Sequence, residues 1–298
     1  MLFRSGDYDL QRVMTMPAGA SAALWRLIAG VMVMWVTYLA LLWLGAGAFV
    51  RITGAGGQAR LRAMSEGATP MGLTALLLSF GLLAAGLAVA LRYLHQRGLA
   101  GVIGPAGRAR HDFRRVALAL IGLSLVFLPV TLMSSDVTAR MTLVQQMPYW
   151  PLALLGLLIQ TGTEEMVFRG YLQSQLAARF RSPLVWIGVP SALFGLTHFN
   201  PETYGPNAWA VVVWATVFGA LAADLTARTG SLGAAIGMHF ATNFGAIFLV
   251  GVSGNLDGLA LFTVVADLKD PSLMAALLGS DLMALLVSWL LARVMLRR

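Results

Sequence analysis

Glu164, Glu165 and Arg169 stand together near the end of an apolar run that begins at Pro151. On a helix, Glu165 and Arg169 share a face four residues apart and can pair, while Glu164 points about 100° away and stays free for chemistry. Ionisable groups at bilayer depth cost roughly 2.5–3.5 kcal/mol each even on lenient insertion scales, so their presence in such a run points to function. Two imidazoles, His198 and His239, lie in or beside other apolar stretches. Asn243 shares a helical face with His239, as Phe194 does with His198. These groups suit hydrolysis: a carboxylate takes a proton from water while histidine and asparagine hold that water or stabilise an oxyanion. Alternatively, Glu164, His198 and His239 form a carboxylate-plus-two-imidazole set compatible with zinc and an open fourth position. The helical His-Glu-x-x-His pattern is absent from the sequence, and spacing leaves the water either metal-bound or metal-free.

The elements that must position these groups are membrane helices. The chain has 298 residues, 58% of them apolar and 11% charged, with a mean hydropathy of +0.76, whereas a soluble domain carries about 25% charged residues. The net charge of +8 resembles a nucleic-acid signal. Its arginines sit in short loops between apolar stretches, however, where positive-inside topology accounts for them and no nucleic-acid partner is needed. The absence of cysteine rules out disulfides and thiolate metal sites. The run from Ala22 to Val50 is too long for a leader's apolar core, and Asp7 and Asp9 spoil a basic leader start, so it reads as the first membrane helix.

Spans of about 17–25 apolar residues fall near 23–50, 71–93, 116–133, 151–168, 184–199, 207–226, 231–250 and 273–296. The expected fold is an all-α polytopic membrane protein of about eight transmembrane helices around an intramembrane polar cavity. Residues 1–149 supply three N-terminal spans and loops, 150–250 the core bearing the polar residues, and 251–298 an outer loop and the last helix. With both termini cytoplasmic, only Arg51, Arg60, Arg62, Arg140 and Lys269 of the 21 Lys and Arg fall outside, and Arg169 lies within the membrane.

One placement is strained. With a fifth span of 184–199, His198 reaches the outer boundary, while Glu164 lies about 20 Å and His239 about 16 Å below it. Convergence requires a fifth helix that is short, tilted or displaced inward, with 200–206 as a re-entrant segment. His95 and His111 fall in a basic loop and read as solvated. Glu202 and Tyr204 read as a solvated turn, and Asp281 in the last span reads as a helix–helix hydrogen-bonding group.

Glu-Glu-x-x-x-Arg (Glu164, Glu165, Arg169), Phe-x-x-x-His (Phe194, His198) and His-x-x-x-Asn (His239, Asn243) resemble the three motifs of the CPBP intramembrane proteases, which include the type II CAAX prenyl endopeptidases and bacterial Abi-type proteins. The resemblance covers roughly residues 150–250. It implies that Glu164 is the catalytic glutamate activating water and that Glu165 and Arg169 support it. It further implies that His198 positions the water and that His239 with Asn243 forms the oxyanion side. The family has been described both as metalloproteases and as metal-independent glutamate proteases, so the implied cofactor is none or zinc. The high Arg and Ala content and single lysine suggest a bacterial cell-membrane protein, whose expected partners are the bilayer and a membrane-associated peptide or protein substrate rather than a prenylated CAAX protein by default. Two other classes compete: an idle family member that binds a membrane partner or confers bacteriocin immunity, and a proton-coupled transporter relaying through Glu164, Glu165 and Asp281.

Overall fold

A computed structural model describes residues 8–297; Arg4, Asp7 and Arg298 lie outside the described residues. Eight apolar helices follow in order: α1 Leu24–Thr53, α2 Pro70–Leu94, α3 Ala106–Thr131, α4 Trp150–Glu165, α5 Pro183–Leu196, α6 Ala208–Thr229, α7 Gly233–Phe244 and α8 Pro271–Leu296. The chain is an integral, polytopic membrane protein. Among the described residues, five helices are long and apolar enough to cross a bilayer: α1, α2, α3, α6 with its short lead-in from Pro201, and α8. The other three are shorter, with α4 at 16, α5 at 14 and α7 at 12 residues. The expected set of eight full spans therefore becomes five long helices around three short ones. α4 and α7 are each prolonged by a π-helical stretch, Met166–Gln173 and Gly245–Leu249.

Helix starts follow local chemistry. Thr69 Oγ1 accepts from the Gly72 amide at 3.1 Å with Pro70 in the first turn, and Asp270 caps α8 through the Ser272 and Leu273 amides. α1 packs on α2, α2 on α4, α3 on α7 and α5 on α6. The α3–α7 contact depends on Gly233 and Gly237: a Cβ on Gly237 would lie 2.9 Å from the Phe113 carbonyl oxygen. Small residues at this spacing let two backbones approach closely, which fixes the height of His239 two positions on.

The end opposite the arginine-rich loops carries a feature not expected from an all-helical reading. Three strands, β1 Val137–Ala139, β2 Val250–Val252 and β3 Phe262–Val264, form a sheet of order β1-β3-β2, antiparallel between β1 and β3 and parallel between β3 and β2. Three residues are too few to display a two-residue period. Buried Gln146 donates to the Phe248 carbonyl at 2.8 Å, and Arg140 pairs with Asp257 at 3.2 Å, tying the sheet to the helices beneath.

At the arginine-rich end, residues 8–21 dock against the π-helical continuation of α4 and against α6. Tyr8 donates to Asp224 at 2.8 Å, and Gln173 donates to Gln11 at 3.2 Å. Asp224 also accepts from Arg228 and Trp289. His95 is not a solvated loop residue: it is buried, with Ser21 at 2.9 Å, Tyr171 at 2.8 Å and Gln175 at 3.0 Å from its ring nitrogens. Tyr171 and Gln175, four apart on the helical continuation of α4, present one face to it. His111 is exposed and contacts Asp112.

Burial, then the charges of Arg97 and Arg26, push His95 from 6.5 down to about 4. A depressed histidine contributes stability that is full above the unfolded value and lost as pH falls from about 6.5 toward 4. Thermal unfolding in detergent should lose about 3 kcal/mol of stability over that window. His95→Gln should flatten the slope; an unchanged slope would contradict the assignment.

Candidate active site

The last turn of α4 carries Gln160, Glu164 and Glu165, and the chain then enters π-helical geometry. Such insertions occur frequently at functional sites, because the extra residue per turn re-aims the side chains that follow. Arg169 Nη1 donates to Glu165 Oε1 at 3.0 Å, with both side chains fully buried. The guanidinium carbon lies 4.5 Å from the Phe194 ring centroid, with the Phe168 and Phe218 rings within about 6 Å. Nε and Nη2 of Arg169 have no acceptor among the described residues, so aromatic faces replace part of their solvation.

Glu165 Oε1 also accepts from His239 Nδ1 at 2.8 Å. That bond makes Nδ1 the protonated nitrogen and turns Nε2 toward Glu164 Oε2, 3.5 Å away. Glu164 Oε2 further accepts from Gln160 Nε2 at 2.9 Å, and Gln160 Oε1 accepts from Asn243 Nδ2 at 3.1 Å. The result is an unbroken chain from Arg169 through Glu165, His239, Glu164 and Gln160 to Asn243. Glu165 is sealed, whereas the Glu164 side chain keeps 15% of its surface exposed. The two adjacent carboxylates thus divide into one held by arginine and one open to a reactant.

His198 sits beside this chain rather than in it. α5 has 14 residues and rises about 21 Å, well short of the ~30 Å hydrocarbon core. It is two residues shorter than the expected 184–199 span, and His198 follows just past its end. The helix stops where Thr197 Oγ1 and His198 Nδ1 both turn back to the Phe194 carbonyl, at 2.7 and 2.9 Å. Phe194 links the motifs: its ring lies 4.7 Å from that of His198 and 6.0 Å from that of His239. With Nδ1 committed to a carbonyl, His198 Nε2 keeps its lone pair. Gly195 permits this placement, since a Cβ there would strike Thr216 and lie 2.6 Å from the Val212 carbonyl oxygen on α6. Residues 200–207 form a short helix, Pro201–Tyr204, capped by Asn200, and a turn leading into α6, with Glu202 exposed.

Of the possible zinc ligands Glu164, His198 and His239, the first and last lie together, 3.5 Å apart. Among the described residues, no group of three His, Cys, Asp or Glu side chains is arranged to hold a metal ion, and both His239 nitrogens already face carboxylates. Asp281 also departs from expectation: it lies on the exposed face of α8 and makes no hydrogen bond or ion pair among the described residues.

Sequence reasoning missed Gln160, the bridge between two motifs. Its signal was present, as a polar residue one helical turn before Glu164 in an otherwise apolar run.

Comparison with known proteins adds a family. Residues 146–245 match the model for type II CAAX prenyl endopeptidase Rce1-like proteins. The chain is also 30% identical over 188 residues to the uncharacterized protein YyaK of Bacillus subtilis (strain 168), an alignment covering 60% of this chain and 62% of that relative. No solved structure gives a significant match.

Proposed function

We propose, from the match of residues 146–245 to the type II CAAX prenyl endopeptidase Rce1-like family, that the chain is an intramembrane endopeptidase acting on a membrane-associated peptide or protein. One observation carries this reading: His239 lies between a sealed carboxylate and an accessible one, at 2.8 and 3.5 Å. Glu164 takes a proton from water, whose oxygen bonds to the substrate carbonyl carbon. His198 Nε2 accepts the water's second hydrogen and fixes its direction of attack. The oxyanion receives a hydrogen bond from Asn243, and a second from His239 once its Nε2 carries a proton. As the C–N bond breaks, Glu164 returns its proton to the departing amine. Glu165 holds the His239 ring, and Arg169 balances the charge of Glu165.

The catalytic core spans 150–250, with 1–149 and 251–298 as flanking membrane segments. The arginine distribution favours cytoplasmic termini in a bacterial cell membrane. In this reading the attacking water is activated by Glu164 without a metal.

The test uses the purified full chain in nanodiscs with a library of membrane-tethered peptides and mass spectrometry of the products. The expected result is a discrete set of internal cleavages, and the absence of cleavage across the library would contradict the proposal. Gln160→Leu removes a hydrogen bond to a charged oxygen, worth about 1.5–3 kcal/mol. It should therefore lower kcat/KM roughly 10- to 100-fold; an unchanged kcat/KM would exclude Gln160 from the machinery.

A further inference from the structure

Between α3 and α4 a furrow of about 420 Å³ opens on the outer surface of the bundle. Its walls are Ala117 and Leu118 of α3 and Leu155 and Leu158 of α4, and Phe240 of α7 forms the floor, edge-on to Phe113 at 5.7 Å. The furrow is apolar except at one end, where Arg114 lines it. Arg110 lies one turn before Arg114 on the same face, and both are exposed.

The neighbouring basic residues are engaged within the protein: Arg108 donates to the Thr229 carbonyl at 3.0 Å, Arg115 to the Met295 carbonyl at 3.4 Å, and His111 contacts Asp112. Arg110 and Arg114 make no hydrogen bond or ion pair among the described residues. Two uncommitted guanidinium groups at the mouth of an apolar trough match an anionic headgroup above an acyl chain.

We propose that this furrow holds one molecule of an anionic phospholipid, with its phosphate on Arg114 and Arg110 and one acyl chain against Leu118, Leu155, Leu158 and Phe240. The two cations set its preference for anionic over zwitterionic lipid. Phe240 adjoins His239 in α7, so an acyl chain in the furrow packs against the helix that carries His239. The proposal does not depend on peptidase chemistry.

The experiment is native mass spectrometry of the full chain released from nanodiscs of equal parts phosphatidylglycerol and phosphatidylcholine. One retained phosphatidylglycerol per chain is expected. At about 1 kcal/mol per cation near a membrane surface, Arg110→Gln with Arg114→Gln should cut its retention on the order of 30-fold relative to phosphatidylcholine. Leu118→Trp, which fills the furrow from an exposed position, should cut retention without changing the charge. Equal retention of both lipids by the wild type, or undiminished phosphatidylglycerol on the double variant, would overturn the proposal. So would displacement of the lipid by a tethered peptide substrate or by a second copy of the chain.

Discussion

Glu164→Gln should abolish peptide cleavage while leaving the protein folded. The substituted amide keeps the shape and an oxygen that can still accept from Gln160, now 2.9 Å from Glu164 Oε2. What it loses is the capacity to take a proton from water and return it to the leaving amine. General acid–base groups contribute typically 10²–10⁴-fold, so kcat should fall by about that factor with KM nearly unchanged. Steady-state cleavage of a tethered peptide, with thermal unfolding measured alongside, checks it. Retention of more than a tenth of wild-type kcat would move the catalytic role elsewhere, and a collapse of thermal stability would recast Glu164 as structural.

The second large effect concerns the sealed pair. Glu165 and Arg169 are both fully buried and 3.0 Å apart. Arg169→Met should cost about 3–5 kcal/mol, because it leaves a carboxylate buried with only His239 as partner. Glu165→Gln together with Arg169→Met removes both charges and should cost clearly less than the sum of the single changes. The Met side chain can still fill space against Phe194, whose ring the guanidinium now covers at 4.5 Å. Thermal unfolding of the two single variants and the double in detergent gives the coupling. Additive losses, or singles within 0.5 kcal/mol of wild type, would contradict the burial argument. Activity should fall in all three, since Glu165 orients His239 through the 2.8 Å bond.

Features set by helical periodicity were legible in the sequence. Glu165 faces Arg169 because four residues nearly complete a turn, and the same rule places Asn243 beside the His239 face. The apolar lengths of α1, α2, α3, α6 and α8 marked membrane helices directly. The less legible features depend on contacts between distant segments. The place of His198 follows from where α5 ends, which is marked by the back-turned hydrogen bonds to Phe194 and by the close Gly195 contact with α6. His95 was misread because its loop is basic, whereas its partners Ser21, Tyr171 and Gln175 lie more than 70 residues away in the chain. The three-stranded sheet joins segments near 138, 251 and 263 in strands too short to carry a pattern.

The central claim is that Glu164 activates water that is not bound to a metal. The most direct measurement is the cleavage rate of a tethered peptide by the purified wild-type chain after exhaustive chelation. An undiminished rate is expected, because Glu164, His198 and His239 are not arranged to hold an ion. A rate abolished by the chelator and restored by zinc would contradict the account.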